Sequence, residues 1–457
     1  MTLLPVNFFA KTALYFAVAF LLFSVSAFGQ YGYSSASLAM GKQQSVQHII
    51  PRPEHIVTPE YINYHKHNIP LPSPNESVHL DLRWDNSRLV QDQVLQIGIT
   101  TANGDGYFDR QPVNISLVID RSGSMEGEKI ARTREAMLTF LNHLQFDDLL
   151  SIVVFDHIVE VLQQPMPVGD KYISEKIIKS IHTRGSTDLN AGIIEGYRQV
   201  ISKYQKGRTN RVIILTDAMT NTGTLNLETI IKHSGIYEAG YEVDFVFIGV
   251  GMDINTDLAR QLSESKKNTF HFIHDPADIN KVFNAEVESL LAQVGRNVEL
   301  TIRYGNKLAF KDAFGQPFSV GEKEIRFALN NLNGGLTQVV LASFLKDYSE
   351  ESVTVSLAYD DMRSGKRVTQ TRTIGSPAGM VGDPEVQKNV TIAQMAVSLQ
   401  QMAELYHKGQ HGEAQFALRQ AINTTRESGY ASDPDVKRVL DILENYAGDL
   451  SELVRKD

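Results

Sequence analysis

Between residues 113 and 292, short runs rich in Val, Ile and Leu alternate with stretches whose apolar residues recur every three or four positions. The runs 113–119, 149–155, 212–215 and 245–250 are apolar almost throughout, as expected of strands covered on both faces. Between them, 129–144 places Ile130, Thr133, Met137, Phe140, Leu141 and Leu144 on one helix face, and 172–181, 189–201 and 227–239 also carry helical patterns. This alternation predicts βα units around a mostly parallel sheet, with 158–162 as an antiparallel edge. On either side the period changes to two. Residues 77–83 and 93–100 before it, and 298–304, 325–329, 338–344 and 353–359 after it, alternate polar and apolar like half-buried antiparallel strands. The simplest arrangement joins these flanking strands in one sheet or sandwich. An α/β unit at 111–293 is then inserted between a β part at 76–110 and its continuation at 294–376.

The remaining segments differ in kind. Residues 383–457 read as helical: Asp383-Pro384-Glu385 supplies an N-cap, a proline in the first turn and an acidic group there. An alanine-rich helix runs to about Tyr406 and ends at Gly409. A second spans 413–428, and Asp433-Pro434-Asp435 starts a third. The Ala/Leu spacing is similar to tetratricopeptide hairpins, but one hairpin and a half makes no repeat array, so core packing is the default. Residues 30–75, with Pro51, Pro53, Pro59, Pro70, Pro72 and Pro74, predict an extended tether containing one helical turn near 60–64. His55, His65 and His67 fall within it and are expected to be solvated loop histidines, since no acidic or cysteine partner stands at ligand spacing. At the start, Lys11 precedes the apolar run 12–28, and Val25-Ser26-Ala27 or Ala27-Phe28-Gly29 suits a signal peptidase. A signal peptide over 1–29 is expected, or else an uncleaved anchor through this segment; either places the rest outside the cytoplasm, in the periplasm or at the cell surface.

Composition narrows the classes. A chain of 457 residues exceeds one core, so two or three domains are expected. With 42% hydrophobic and 21% charged residues it is an ordinary globular sequence. The net charge of -9, without a basic stripe carrying aromatics, excludes nucleic acid as the natural partner. The absence of cysteine excludes disulfides, thiol catalysis and thiolate metal sites. No second long apolar stretch follows the first, which excludes a polytopic transporter or channel.

Candidate chemistry sits where the buried strands end, which is where open α/β sheets bind ligands. Asp120-Arg121-Ser122-Gly123-Ser124 follows the run 113–119. Gly185-Ser186-Thr187-Asp188 precedes a helix, and Asp217-Ala218-Met219-Thr220 follows the run 211–216. Each piece alone has a plain explanation: Asp and Ser form turns, Thr187 or Asp188 caps a helix, and Asp217 pairs with a lysine. Taken together, Asp120, Ser122, Ser124, Thr187 and Asp217 offer five oxygen side chains for one hard cation.

This set, D-x-S-x-S, then T, then D, resembles the metal-ion-dependent adhesion site of von Willebrand factor type A domains, with every position matched. The likeness spans about 113–291 and includes 149–155, 213–217 and Gly249-Val250-Gly251 followed by 255–262. It implies a Rossmann-like doubly wound domain holding Mg²⁺, or Mn²⁺ or Ca²⁺. Ser122, Ser124 and Thr187 hydroxyls would bind the ion, with Asp120 and Asp217 holding its waters. One coordination position stays open for an acidic side chain of a protein partner. Arg121 occupies the variable position and is expected to flank the ion and add positive potential. The wider layout is similar to exported bacterial A-domain proteins labelled calcium-activated chloride channel homologues, a label that implies no conduction.

The expected function is therefore an exported adhesion or binding module rather than an enzyme. A scaffold for assembling a cell-envelope complex is the alternative. A metal-assisted hydrolase using Asp120 or Asp217 as base is disfavoured, because the motifs contain no His or Glu to relay protons; His157 and His182 are the nearest in sequence.

Overall fold

The computed structural model describes residues 36–86, 92–102, 111–217, 232, 240–251, 268–280, 282–283, 293–345, 351–376 and 382–454. The expected signal peptide at 1–29 and the segment 255–262 lie outside them, as does the helix expected at 227–239 apart from residue 232. Two helices open the described chain, α1 (Ala36–Val46) and α2 (Thr58–Ile62), followed by the antiparallel pair β1 (Val78–Asn86) and β2 (Gln93–Thr101).

The α/β unit comes next: β3 (Val113–Asp120), α3 (Glu128–His143), β4 (Leu149–Phe155), β5 (Val159–Pro167), α4 (Lys171–Ser180), α5 (Leu189–Ser202), β6 (Thr209–Thr216), β7 (Val243–Val250) and β8 (Asn268–Ile273). Its sheet runs β5-β4-β3-β6-β7-β8, parallel except for β5 at one edge. All eight residues of β3 are buried, because the sheet is covered on both sides. Ile115, Leu117 and Ile119 pack with Met137, Phe140 and Leu141 of α3. On the other face Val118, Val153 and Phe155 pack with Ile193 and Tyr197 of α5. That double cover is why these strands read as unbroken apolar runs.

The strands after the unit are β9 (Gln293–Tyr304), β10 (Phe310–Asp312), β11 (Ser319–Gly321), β12 (Glu324–Ala328), β13 (Leu332–Asn333), β14 (Thr337–Phe344), β15 (Ser352–Asp361) and β16 (Lys366–Gly375). They form two sheets with β1 and β2: one ordered β1-β2-β14-β10, the other β11-β12-β9-β15-β16 with β13 on β9. Leu95, Ile97 and Ile99 of the first meet Leu300, Ile302, Val355 and Leu357 of the second in one core, so the sheets form a sandwich. β14 pairs with β2 from Thr337↔Thr100 to Phe344↔Gln93, and the α/β unit is inserted between β2 of one sheet and β9 of the other.

Three helices end the chain: α6 (Pro384–His407), α7 (His411–Glu427) and α8 (Pro434–Val454). Asp383 caps α6 by accepting the Glu385 and Val386 N–H groups, at 3.0 and 3.1 Å, and Asp433 does the same for α8. α6 covers the second face of β2, where Val390 and Ala393 pack on Val94, and Asn389 donates to Gln96 Oε1 at 2.9 Å. β2 is therefore buried along its whole length and not half-buried as its alternation suggested. Among the described residues, no helix is long and apolar enough to cross a membrane.

The segment expected as an extended tether is instead packed structure. Ala36 and Met40 of α1 join the α/β core, while Leu38 joins Ile56, Tyr61 and the C-terminal helices. Glu60 accepts the Ser37 N–H at 2.7 Å, tying α2 to the start of α1. α1 is wedged between two bodies and so has no single apolar stripe to betray it. His65 and His67 are likewise not solvated: their side chains are 6% and 0% exposed. Burial pushes the His65 imidazole down to about 3 and lowers that of His67 as well.

α5 lies close enough to the sheet that Gly196 has no room for a side chain; a Cβ there would stand 2.6 Å from Val118 Cγ2 and 2.9 Å from Val212 Cγ1. Gly196→Ala is expected to destabilise the protein by about 1–2 kcal/mol, the overpacking cost exceeding the gain in helix propensity. Urea unfolding measures this, and a variant as stable as wild type would contradict it.

Candidate functional site

The order of the sheet locates the site. From β3 the chain crosses to β4 on one side and later returns to β6 on the other, so the topological switch falls between β3 and β6. These two strands pair in parallel with Ile119 opposite Leu215. Asp120 ends β3, and Asp217 directly follows β6, so two carboxylates emerge side by side. Both are fully buried.

Each oxygen of this pair has a defined partner. Asp120 Oδ1 accepts the Ser122 N–H at 2.8 Å, and Oδ2 accepts the Thr216 hydroxyl at 2.5 Å. The Ser124 hydroxyl donates to Asp217 Oδ1 at 3.0 Å. The Ser122 and Ser124 hydroxyls lie 3.0 Å apart; since Ser124 spends its proton on Asp217, Ser122 is the donor between them. Lys129, in the first turn of α3, donates to Asp217 Oδ2 at 3.0 Å.

The loop carrying Thr187 is fastened to this group through backbone. The Gly123 N–H donates to the Gly185 carbonyl at 3.0 Å, and the Arg184 N–H donates to the Arg121 carbonyl at 2.7 Å. Gly185 takes a positive φ of 71° and lies hard against the His157 ring, so a side chain there fits neither the backbone nor the space. Asp188, not Thr187, caps α5, accepting the Ala191 N–H at 3.1 Å. Thr187 is buried next to it. The structure thus links Asp120, Ser122, Ser124 and Asp217 by hydrogen bonds and holds the Thr187 loop against theirs.

Burial pushes the Asp120 carboxyl up to about 6; the charge of Asp217 adds to this, against the hydrogen bonds from Thr216 and Ser122. Only neutral donors hold Asp120, while Lys129 offsets Asp217. Hydroxyl and carboxylate oxygens crowded at a site short of positive charge are the donor set a hard divalent cation prefers.

Arg121 does not face the site as expected. It is 4% exposed, with Nε 2.7 Å from Asp156 Oδ2 and Nη2 2.9 Å from Glu160. Arg184 binds the same two carboxylates, so these four charges cancel locally. Burial raises the Asp156 carboxyl, but the Arg184 and Arg121 guanidiniums outweigh it and hold it below its ordinary value. Sequence reasoning missed Asp156, Glu160, Arg184 and Lys129. Asp156 alone had a signal, since it directly follows β4 at the same sheet end. His182 is exposed on its loop, with Nδ1 3.0 Å from the Ser180 carbonyl.

Comparison with known proteins agrees with this architecture. Residues 115–219 match the von Willebrand factor type A domain family. The chain is 24% identical over 298 residues to an uncharacterised protein of Synechocystis sp., covering 63% of this chain and 69% of that one. It is 29% identical over 203 residues to inter-alpha-trypsin inhibitor heavy chain H3 of Mus musculus, covering 41% of this chain but only 22% of the mouse protein. Among solved structures, a von Willebrand factor type A protein from Catenulispora acidiphila shares the fold with a TM-score of 0.56 at 16% identity, covering 78% of this chain and 87% of that one.

The raised Asp120 has a measurable consequence. Its folded value lies above the ordinary carboxylate value, so the folded protein binds this proton more tightly than the unfolded chain, and acid stabilises through this group between about pH 6 and pH 4. In chelator, the stability of wild type relative to Asp120→Asn is expected to rise by about 1 kcal/mol from pH 7 to pH 5. Urea unfolding at the two pH values reads it; a constant difference would contradict the raised value.

Proposed function

We propose that the von Willebrand factor type A domain of this chain captures a protein partner through a divalent cation. Ser122, Ser124 and Thr187 supply hydroxyl ligands, and Asp120 and Asp217 hold the ion's waters. Mg²⁺ is the expected ion, with Mn²⁺ and Ca²⁺ as substitutes. It would supply an electrophilic point of attachment for an Asp or Glu carboxylate of the partner. The observation that carries this reading is the hydrogen-bonded run Ser122–Ser124–Asp217 beside the buried Asp120, at the switch point of a parallel sheet.

A binding role suits the surroundings better than catalysis. The histidines nearest in sequence are engaged elsewhere: His157 Nδ1 lies 2.9 Å from Asp156, and His182 is turned to the Ser180 carbonyl. The sandwich and C-terminal helices present the domain, and the apolar N-terminal segment fits export to the periplasm or cell surface.

Millimolar Mg²⁺ is expected to raise the Tm of wild type by several degrees relative to chelator. Ser124→Ala and Thr187→Ala should lose most of that rise while keeping the Tm measured in chelator within about 2 °C of wild type. Pull-down of a partner from an envelope fraction should need the ion and fail with both variants. Equal wild-type Tm in Mg²⁺ and in chelator overturns the site.

A further inference from the structure

Away from the central sheet, the segment after α2 meets the starts of α6 and α8. Three side chains converge there, His65, His67 and Glu385, with ligand-type atoms within 4.8 Å of one another. His67 Nδ1 stands 3.4 Å from Glu385 Oε1, and His65 Nε2 stands 3.8 Å from Asp435 Oδ2. The two rings are 4.5 Å apart between centroids.

The proton on His67 can be placed from its neighbour. The Asn63 amide nitrogen donates to the Pro59 and Val339 carbonyls, both at 3.0 Å, and Asn63 Oδ1 accepts the Val339 N–H at 2.7 Å. These bonds fix which end of the amide is oxygen. The same Oδ1 lies 3.1 Å from His67 Nε2, which must therefore carry the hydrogen. In a neutral imidazole this leaves Nδ1 as a bare lone pair aimed at a carboxylate oxygen. A buried acceptor facing the oxygen of a half-buried carboxylate costs free energy unless a cation stands between them. His67 Nδ1 and His65 Nε2 are both buried without a hydrogen-bond partner.

We propose that His65, His67 and Glu385, with Asp435 in the fourth position, bind a zinc-type divalent cation that staples the N-terminal segment to α6 and α8. Imidazole nitrogen with carboxylate oxygen is a zinc donor set, in contrast to the all-oxygen group at the central sheet. Ligand atoms around such an ion stand roughly 3.4 Å apart, so those of His65, His67 and Glu385, all within 4.8 Å of one another, need close in by at most about 1.4 Å. Asn63 fixes the His67 tautomer and ring orientation, as a carbonyl behind a ligating histidine does. Lys388 is the competing cation, with Nζ 3.3 Å from Glu385 Oε2 and 3.7 Å from Asp435 Oδ2. It engages the Glu385 oxygen turned away from His67. Arg438 reaches Asp435 Oδ1 at 3.6 Å, so Oδ2 is shared between Lys388 and His65.

The test titrates Co²⁺ into the chelator-stripped full chain, with Mg²⁺ in excess to occupy oxygen sites. One equivalent should bind with the visible absorption of a four-coordinate ion and be displaced by Zn²⁺. Glu385→Gln and His67→Gln should each weaken binding by at least about tenfold, while Ser124→Ala binds as wild type does. No binding, a six-coordinate spectrum or unchanged affinity in both ligand variants overturns the proposal. X-ray absorption of the wild-type protein with one equivalent of Zn²⁺ needs no variant to fold: two imidazoles in the shell support the site, and fewer overturn it.

Discussion

The in-register parallel pairing of β3 with β6 is the constraint from which the site follows. Because Ile119 lies opposite Leu215, Asp120 comes level with Thr216, whose hydroxyl it accepts, and Asp217 follows one residue later at the same end of the sheet. Neither can turn away, for Asp120 is held by Thr216 and Ser122, and Asp217 by Ser124 and Lys129. Like charges brought together out of water must be neutralised, by a proton, a lysine or a metal ion. Here Lys129 already supplies one positive charge, to Asp217.

The parts of this molecule legible from residue order were those whose surroundings are uniform. β3, β4, β6 and β7 are covered on both faces, so their apolar runs had one reading. Asp383 and Asp433 announced helix starts because capping is local. Of the five candidate oxygen-bearing residues, Asp120, Ser122, Ser124 and Asp217 stood in motifs at strand ends and are linked in the structure. What stayed hidden depended on distant chain. α1 touches two bodies at once and shows no stripe. β16 is a largely exposed edge strand of Lys, Arg, Thr and Gln, with little apolar signal to mark it. Arg121 was expected to face the site, but Asp156 and Glu160 draw it away. The partners of His65 and His67 lie on α6 and α8, beyond the reach of any spacing rule.

The terminal segments do more than connect. α6 and Ile69 close the outer face of β2, where Gly98 is needed because a Cβ would meet Ile69 Cδ1 at 2.7 Å. α1 and α2 are joined through Glu60 and Ser37, and Tyr446 of α8 donates to the Gly41 carbonyl at 3.3 Å. The first and last described helices thus meet in one helical layer that shields the sandwich and touches the α/β unit.

The insertion also decides how the molecule carries mechanical load. The α/β unit hangs from the end of β2 and the beginning of β9, and each is an interior strand: β2 between β1 and β14, β9 between β12 and β15. Force applied to the α/β unit therefore runs lengthwise along two strands, each clamped on both flanks by antiparallel ladders. Those ladders resist in shear, with many hydrogen bonds strained together, and do not unzip one rung at a time.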